Sequence, residues 1–244
     1  MSSMSELAVI SDIHGNLQAL KAVLEDIRNR GIREVICLGD VVGYGGNPAE
    51  CIDLIRSCGI ETIKGNHDEM VSGLPVIGMV REGIIESTRI SRTQLKADQL
   101  QWLRNLPMKL EGDGYQAVHS SLYQPEHWNY VLRPDAAFLS MSKQTKSLCF
   151  IGHTHRPAFW VEGKEQTIEP TVIEDIKPGL KHVINVGSVG QPRDYDERAC
   201  YVIYRPEKPD VMFVRLAYEI EVAQKAIRDA GQPSSFAQRL STGR

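Results

Sequence analysis

No two cysteines of this 244-residue chain stand as a Cys-x-x-Cys pair. The five present (Cys37, Cys51, Cys58, Cys149 and Cys200) are scattered and odd in number. That pattern argues against a thiolate zinc site and a disulfide framework, and it predicts thiols that serve as small buried hydrophobes in a reducing compartment. Long apolar runs are missing too. No segment approaches the roughly 20 apolar residues of a membrane span. Leu7 to Ile10 is too short for a signal peptide and has no basic flank. A net charge of −3 leaves no basic footprint for duplex nucleic acid. The expectation is a soluble cytoplasmic protein with neither membrane nor duplex nucleic acid as partner. The length suits one domain, 1–244, large enough to bury a layered core without staples.

The apolar pattern predicts α/β architecture. Leu7 to Ile10 reads as a buried strand, followed by a helix that Asn16 caps and that runs through Arg30. Val35 to Leu38 is a second strand, Pro48 to Ser57 a helix, and Glu61 to Lys64 a short third strand. This alternation predicts parallel pairing. Glu69 to Pro107 reads as helical, with Arg89 to Leu106 one segment in which Trp102 and Leu103 face the core. Tyr115 to Val118 and Leu148 to Ile151 are further strands, with a helix from Asp135 to Lys146 between them. After residue 155 the runs Phe159 to Val161, Val183 to Val186, Cys200 to Tyr204 and Val211 to Leu216 read as an antiparallel second sheet. A helix from Glu219 to Ala230 and a mobile polar tail complete the chain.

Five of the seven histidines lie in four short polar motifs, each after one of these strands. The motifs are Asp12-Ile13-His14, Gly65-Asn66-His67-Asp68, the lone His119, and Gly152-His153-Thr154-His155. Gly39-Asp40 has the same placement without histidine. In parallel sheets ligands bind beyond the carboxyl ends of strands, so side chains remote in sequence meet at one sheet edge. Residues two apart in extended chain share a face, which lets Asp12 with His14, and His153 with His155, reach one ion. The set mixes N and O donors and lacks thiolate, as catalytic Mn²⁺, Fe or Zn²⁺ sites do. Seven ligands exceed the needs of one ion with open positions. Two ions bridged by a carboxylate would use them, and such pairs perform in-line displacement at phosphorus. His67 is the candidate general acid for the leaving oxygen, with Asp68 orienting it or raising its pKa.

These blocks, in this order, resemble the calcineurin-like metallophosphoesterase superfamily, whose pattern is D-x-H, GD, GNH-D/E, a lone H and GH-x-H. The run from Gly39 to Gly45 and the later Asn185 to Asp194 resemble its small stand-alone bacterial and archaeal phosphodiesterase branch. The resemblance implies a four-layer α/β/β/α sandwich of two mixed sheets with a di-metal site at the strand C-terminal ends. It implies one divalent ion on Asp12, His14, Asp40 and His155, and a second on Asp40, Asn66, His119 and His153, with Mn²⁺, Fe²⁺/³⁺, Zn²⁺ and Ni²⁺ all admissible. A bridging hydroxide would attack phosphorus, and His67 would protonate the leaving group. Two departures touch no ligand: Asn185-Val186-Gly187-Ser188 where Asn-Pro-Gly-Ser is commoner, and Gly46 where proline is frequent.

Outside this set the plainer reading is preferred. His127 belongs to a surface loop (123 to 130) that could line a cleft, His182 is expected to be solvated, and Arg156 to be structural or solvent-facing. Arg193 is a candidate phosphate binder and Tyr44 a candidate flank of the site. The favoured function is hydrolysis of a small phosphodiester, nucleotide or dinucleoside polyphosphate. The alternatives are a serine/threonine phosphoprotein phosphatase and a catalytically silent interaction scaffold. The first is disfavoured by Asp68 in place of Glu and by Val41-Val42-Gly43 in place of Asp-Arg-Gly. The second is disfavoured by the intact ligand set.

Overall fold

The computed structural model describes residues 6–74, 81–164 and 172–244. The chain begins β1 (Leu7–Ile10), α1 (Leu17–Asn29), β2 (Glu34–Cys37), α2 (Pro48–Ser57), β3 (Glu61–Thr62), α3 (Asn66–Ser72), α4 (Glu82–Thr93) and α5 (Ala97–Asn105). It continues β4 (Lys109–Glu111), β5 (Tyr115–Val118), α6 (Pro134–Met141), β6 (Leu148–Ile151), β7 (Ala158–Val161), β8 (Ile173–Asp175) and β9 (His182–Asn185). It closes with β10 (Ala199–Arg205), β11 (Asp210–Leu216), α7 (Ile220–Asp229) and α8 (Ser234–Leu240). One sheet has the order β3-β2-β1-β10-β11-β8 and the other β4-β5-β6-β9-β7. Both mix parallel and antiparallel pairs.

The two-residue period of a strand sorts its side chains between two cores. Leu7 and Val9 join Phe150, Ile184, Val202 and Phe213 in the core between the sheets. Ala8 and Ile10 join Leu20, Ile52 and Leu103 of α1, α2 and α5 on the outer face. Ala137 and Met141 of α6 cover the other sheet over Cys149, Ile151 and Trp160. The four-layer α/β/β/α sandwich follows from these faces, because each sheet is apolar on both sides and must be covered twice.

Four sequence expectations are corrected. The strands after residue 155 do not form a sheet of their own. β10 pairs antiparallel with β1 and extends the first sheet through β11 to β8, while β9 lies between parallel β6 and antiparallel β7. Strands buried on both faces carry no local mark of their neighbours. The segment 89–106 is two helices: the Lys96 N–H donates to the Gln99 side chain, which starts α5 afresh. The polar tail is helical, and Phe236, Ala237 and Leu240 of α8 are buried against Ala223 and Ile227 of α7 and against Tyr44. His182 is fully buried rather than solvated: its Nε2 accepts from the Lys177 N–H, and its ring packs 5.6 Å from that of Phe159. Of the cysteines, Cys37, Cys51, Cys149 and Cys200 are buried as expected and Cys58 is exposed; none is in a disulfide.

Gly46 explains its own departure from the family pattern. The α7 backbone at Ala226 occupies the place a Cβ on Gly46 would take. Proline or alanine there would force the α7 backbone at Ala226 to shift. Gly46→Ala is expected to lower stability by about 1–3 kcal/mol, read as a lower urea midpoint. His182 gives a second expectation. Burial holds its imidazole below the ordinary value, against the pull of the Ser147 and Leu180 backbone. With its folded pKa depressed, its contribution is complete above the unfolded value of about 6.5. That contribution is lost as pH falls from there towards the folded value. Melting temperatures at pH 7 and pH 5 should therefore differ more in the wild type than in His182→Gln, whose amide oxygen can still accept from Lys177.

Candidate metal centre

β1, β2 and β3 run parallel, as do β5, β6 and β9. Their carboxyl ends deliver Asp12, Asp40, Asn66, His119 and His153 to one edge of the sandwich. Six of the seven expected ligands are brought together there, and Asn66, the first residue of α3, follows β3 at the same edge. Ligand atoms of Asp12, His14, Asp40 and His155 lie within 4.8 Å of one another, as do those of Asp40, His119 and His153. Asp40 is common to both groups. Its Oδ2 stands 3.5 Å from His14 Nε2 and 3.3 Å from His119 Nε2. Asp12 Oδ1 stands 3.2 Å from His155 Nε2.

Each carboxylate has one oxygen fixed by the protein. Asp12 Oδ2 accepts from the Ser11 hydroxyl (2.7 Å) and the His153 N–H (3.0 Å), and Asp40 Oδ1 accepts from the His67 N–H (2.8 Å). Three imidazoles are fixed likewise. The Nδ1–H groups of His14, His119 and His155 donate to the carbonyls of Val42 (3.0 Å), Leu38 (2.8 Å) and Gln191 (2.6 Å). A carbonyl can only accept, so each Nε2 of a neutral ring keeps its lone pair. The Nε2 atoms of His14 and His155 face each other at 3.1 Å, a contact that two lone pairs leave repulsive and a cation between them makes attractive. Asp12 Oδ1, Asn66 Oδ1, His119 Nε2 and His153 Nε2 are buried without any hydrogen-bond partner. Unpartnered polar atoms this deep are costly, and those of Asp12, His119 and His153 belong to the two clustered groups. The donor set fits two divalent cations.

The backbone is shaped for this purpose. Asp12, His14, Asp40, His153 and His155 all adopt positive φ, between 50° and 67°. Such conformations cost of order 1–3 kcal/mol each where the side chain is not glycine. They persist because neighbouring loops hold them: Asp12 N–H to Gly39 O, His14 N–H to Asp40 O and Gly190 N–H to Asp12 O, at 2.9–3.0 Å. Gly65 and Gly152 allow the approach, since a Cβ on either would overlap the carboxylate of Asp40 or Asp12.

Charge follows from the same crowding. Burial works to raise the Asp12 carboxyl, but His155, His14 and His119 hold it well below the usual range. Asp40 is held low in the same way, chiefly by His119 and His67 against burial. Burial works to lower His119, and Asp40 with Asp12 overrides it and pushes the ring up to about 9. Burial, with His119, holds His153 down to about 3, and burial with Arg193 holds His155 down to about 4. Most of the set therefore stands ready as lone-pair donors at neutral pH.

His67 lies on the first turn of α3 with its Nδ1 unpartnered, its ring 4.9 Å from that of His14. Burial holds it well below the ordinary histidine value. Asp68 does not orient it. The Asp68 carboxylate accepts from the N–H groups of Asp40 (2.7 Å), Val41 (2.9 Å) and Gly65 (3.0 Å), and so ties the Asp40 loop to α3. Tyr44 is buried 4.4 Å from the His67 ring, and the Arg193 guanidinium lies 5.6 Å over Tyr44 while bonding the Gln191 side chain. Both flank the centre. Arg156 is exposed and donates to the Arg193 carbonyl. His127 is half-exposed beside Glu126, as expected of its loop, and from the same loop Tyr130 stacks on His153 at 4.3 Å.

Sequence reasoning gave no role to Ser11, Asn185 or Ser188. The Asn185 amide donates to Gly152 O (2.7 Å) and Thr154 Oγ1 (2.9 Å), and Ser188 Oγ donates to Asp12 O (2.8 Å). For Asn185 and Ser188 the signal was present in the Asn-Val-Gly-Ser run.

A calcineurin-like phosphoesterase superfamily domain matches residues 5–208. The chain belongs to that superfamily. It is a metallophosphoesterase, a hydrolase acting on phosphoric ester bonds. A metallophosphoesterase from Sphaerobacter thermophilus is 35% identical, with a TM-score of 0.89 over 100% of both chains. An uncharacterized protein of Methanocaldococcus jannaschii is 37% identical over 98% of this chain and 99% of that protein. A symmetrical bis(5′-nucleosyl)-tetraphosphatase of Actinobacillus pleuropneumoniae is 28% identical over 50% of this chain and 46% of its own length. No helix among the described residues of this phosphoesterase is long and apolar enough to cross a membrane.

Metal loading is expected to stabilise the fold. At 100-fold excess over Kd each site adds about 2.7 kcal/mol, a rise in Tm of roughly 5–11 °C for a chain of this size. Differential scanning calorimetry of chelator-treated protein with and without Mn²⁺ or Zn²⁺ checks this. Asp40→Asn, which removes the shared carboxylate, is expected to abolish most of the rise.

Proposed function

We propose that this phosphoesterase hydrolyses a small phosphodiester, nucleotide or dinucleoside polyphosphate, with the whole chain, 1–244, acting as one domain. The observation that carries the reading is the convergence of unpartnered N and O donors around Asp40. Asp12, His14, Asp40 and His155 would hold one divalent ion, and Asp40, Asn66, His119 and His153 the other. The ions, when bound, supply an activated water and neutralise the phosphoryl oxygens. Mn²⁺ and Fe suit the mixed N and O donors, as Zn²⁺ and Ni²⁺ also do.

The chain's own residues supply the rest. Burial disfavours the His67 imidazolium and the Asp40 carboxylate favours it; in that form His67 delivers a proton to the leaving oxygen. Asp68 positions it indirectly, by holding α3 against the loop that carries Asp40. Tyr44 packs against the His67 ring and limits its rotation. The Arg193 guanidinium binds a phosphoryl oxygen at the mouth of the centre. The location that accords with four buried, unbridged thiols is the cytoplasm.

Hydrolysis of bis-p-nitrophenyl phosphate with Mn²⁺ tests the reading. On an alkyl phosphodiester, whose leaving alkoxide needs a proton as p-nitrophenolate does not, His67→Ala is expected to lower kcat by about 10²–10⁴, the range for loss of a general acid, with metal content unchanged by mass spectrometry. Equal turnover in the two proteins would exclude the role given to His67. Absence of turnover in the wild type across several metals would exclude the function.

A further inference from the structure

Beside the metal centre lies a cavity of about 640 Å³ whose wall carries four arginines, Arg81, Arg156, Arg193 and Arg239, with Tyr130 and Phe236. Arg81 stands just before α4, Arg156 and Arg193 belong to the loops behind the centre, and Arg239 belongs to α8. Among the described residues none of the four forms an ion pair with a carboxylate, whereas Arg89, Arg198, Arg205 and Arg215 each do. Burial lowers the Arg239 guanidinium, and the charges of Arg193 and Arg81 act in the same direction. Four unneutralised cations on one wall are mutually repulsive and gain from an anion among them.

The wall is continuous with the reacting centre. The Tyr44 ring lies 4.4 Å from that of His67 and 4.7 Å from that of Phe236, and the Arg239 guanidinium lies 5.3 Å over Phe236. A path of packed rings thus runs from the proton donor outward to the C-terminal helix. Tyr130 covers His153 with one face and is 55% exposed, which leaves a flat aromatic surface at the rim. Base stacking on such a face contributes about 1–3 kcal/mol. One phosphate at the metals needs no such wall. The volume is that of a small-molecule pocket rather than of an extended polymer groove.

We propose that this cavity is a polyphosphate subsite, in which Arg81 and Arg239 bind the phosphates beyond the scissile one and Tyr130 receives a base. The substrate class is then the nucleoside or dinucleoside polyphosphates. The proposal rests on the phosphoesterase reading of the centre, and it gives α8 a role in substrate choice. Gly46 is part of the same device, because it is what lets α7, and α8 with it, seat on the Asp40 loop.

Isothermal titration of the metal-loaded protein with AMP, the β,γ-methylene analogue of ATP, and inorganic tripolyphosphate tests it by binding alone. The methylene analogue is expected to bind at least tenfold more tightly than AMP, and tripolyphosphate between the two. Arg239→Gln and Arg81→Gln, with unchanged melting curves, should each weaken the analogue on the order of tenfold, the effect of one charge-assisted contact. They should weaken AMP less. Equal affinity for AMP and the analogue, or variants within twofold of the wild type, would overturn the subsite. So would tighter binding of a multiply phosphorylated peptide than of the analogue. Turnover of bis-p-nitrophenyl phosphate, measured in parallel, reports separately on the reaction at the centre.

Discussion

Two carboxylates, Asp12 and Asp40, are buried within reach of the same imidazoles, and the surrounding structure is arranged to make that burial tolerable. A dry like-charge pair is unfavourable unless hydrogen bonds and cations surround it. The protein provides the hydrogen bonds on the inner side. Ser11 and the His153 backbone serve Asp12, and the His67 backbone serves Asp40. The outer oxygens are left to the histidines and to the ions the site fits. Removal of either aspartate would strand imidazoles whose tautomers are already fixed by Val42, Leu38 and Gln191.

That constraint reaches into the fold. Five donors take left-handed backbone conformations because each strand end must turn sharply to aim a short side chain back over the sheet edge. The strain is carried by loops that bond one another rather than solvent, so the Asp12, Asp40, His153 and Gly190 segments form one interlocked unit. Asp68 illustrates the principle. Its carboxylate serves backbone N–H groups across two motifs and thereby holds α3 in register with the Asp40 loop.

Much of this was legible in the chain itself. Short continuous apolar runs mark β1, β2, β5 and β6, and the polar motifs follow them at once, so the location of the site could be inferred from the parallel topology. The clustering of Asp12, His14, Asp40, His119, His153 and His155 was legible because aspartate and histidine recur at ligand spacing. What was illegible has a common cause. β9 and β10 are apolar on both faces and could pair with several strands. His182 and Phe236 gave no local sign of burial, since their covers come from residues far away in sequence. Asp68 next to His67 suggested a side-chain pair, yet the helical turn points the carboxylate at the Asp40 loop instead.

The sequence by itself determined most of the elements, the donor chemistry and the family, because these depend on local periodicity and on residue type. Only the tertiary structure decided which oxygen of each aspartate is free, which nitrogen of each histidine keeps its lone pair, and which arginines share one wall with the centre. Those properties belong to no residue alone. They arise where backbone carbonyls and charged groups from distant segments are packed to within a few ångströms, at distances where a small displacement changes a repulsion into a ligand field.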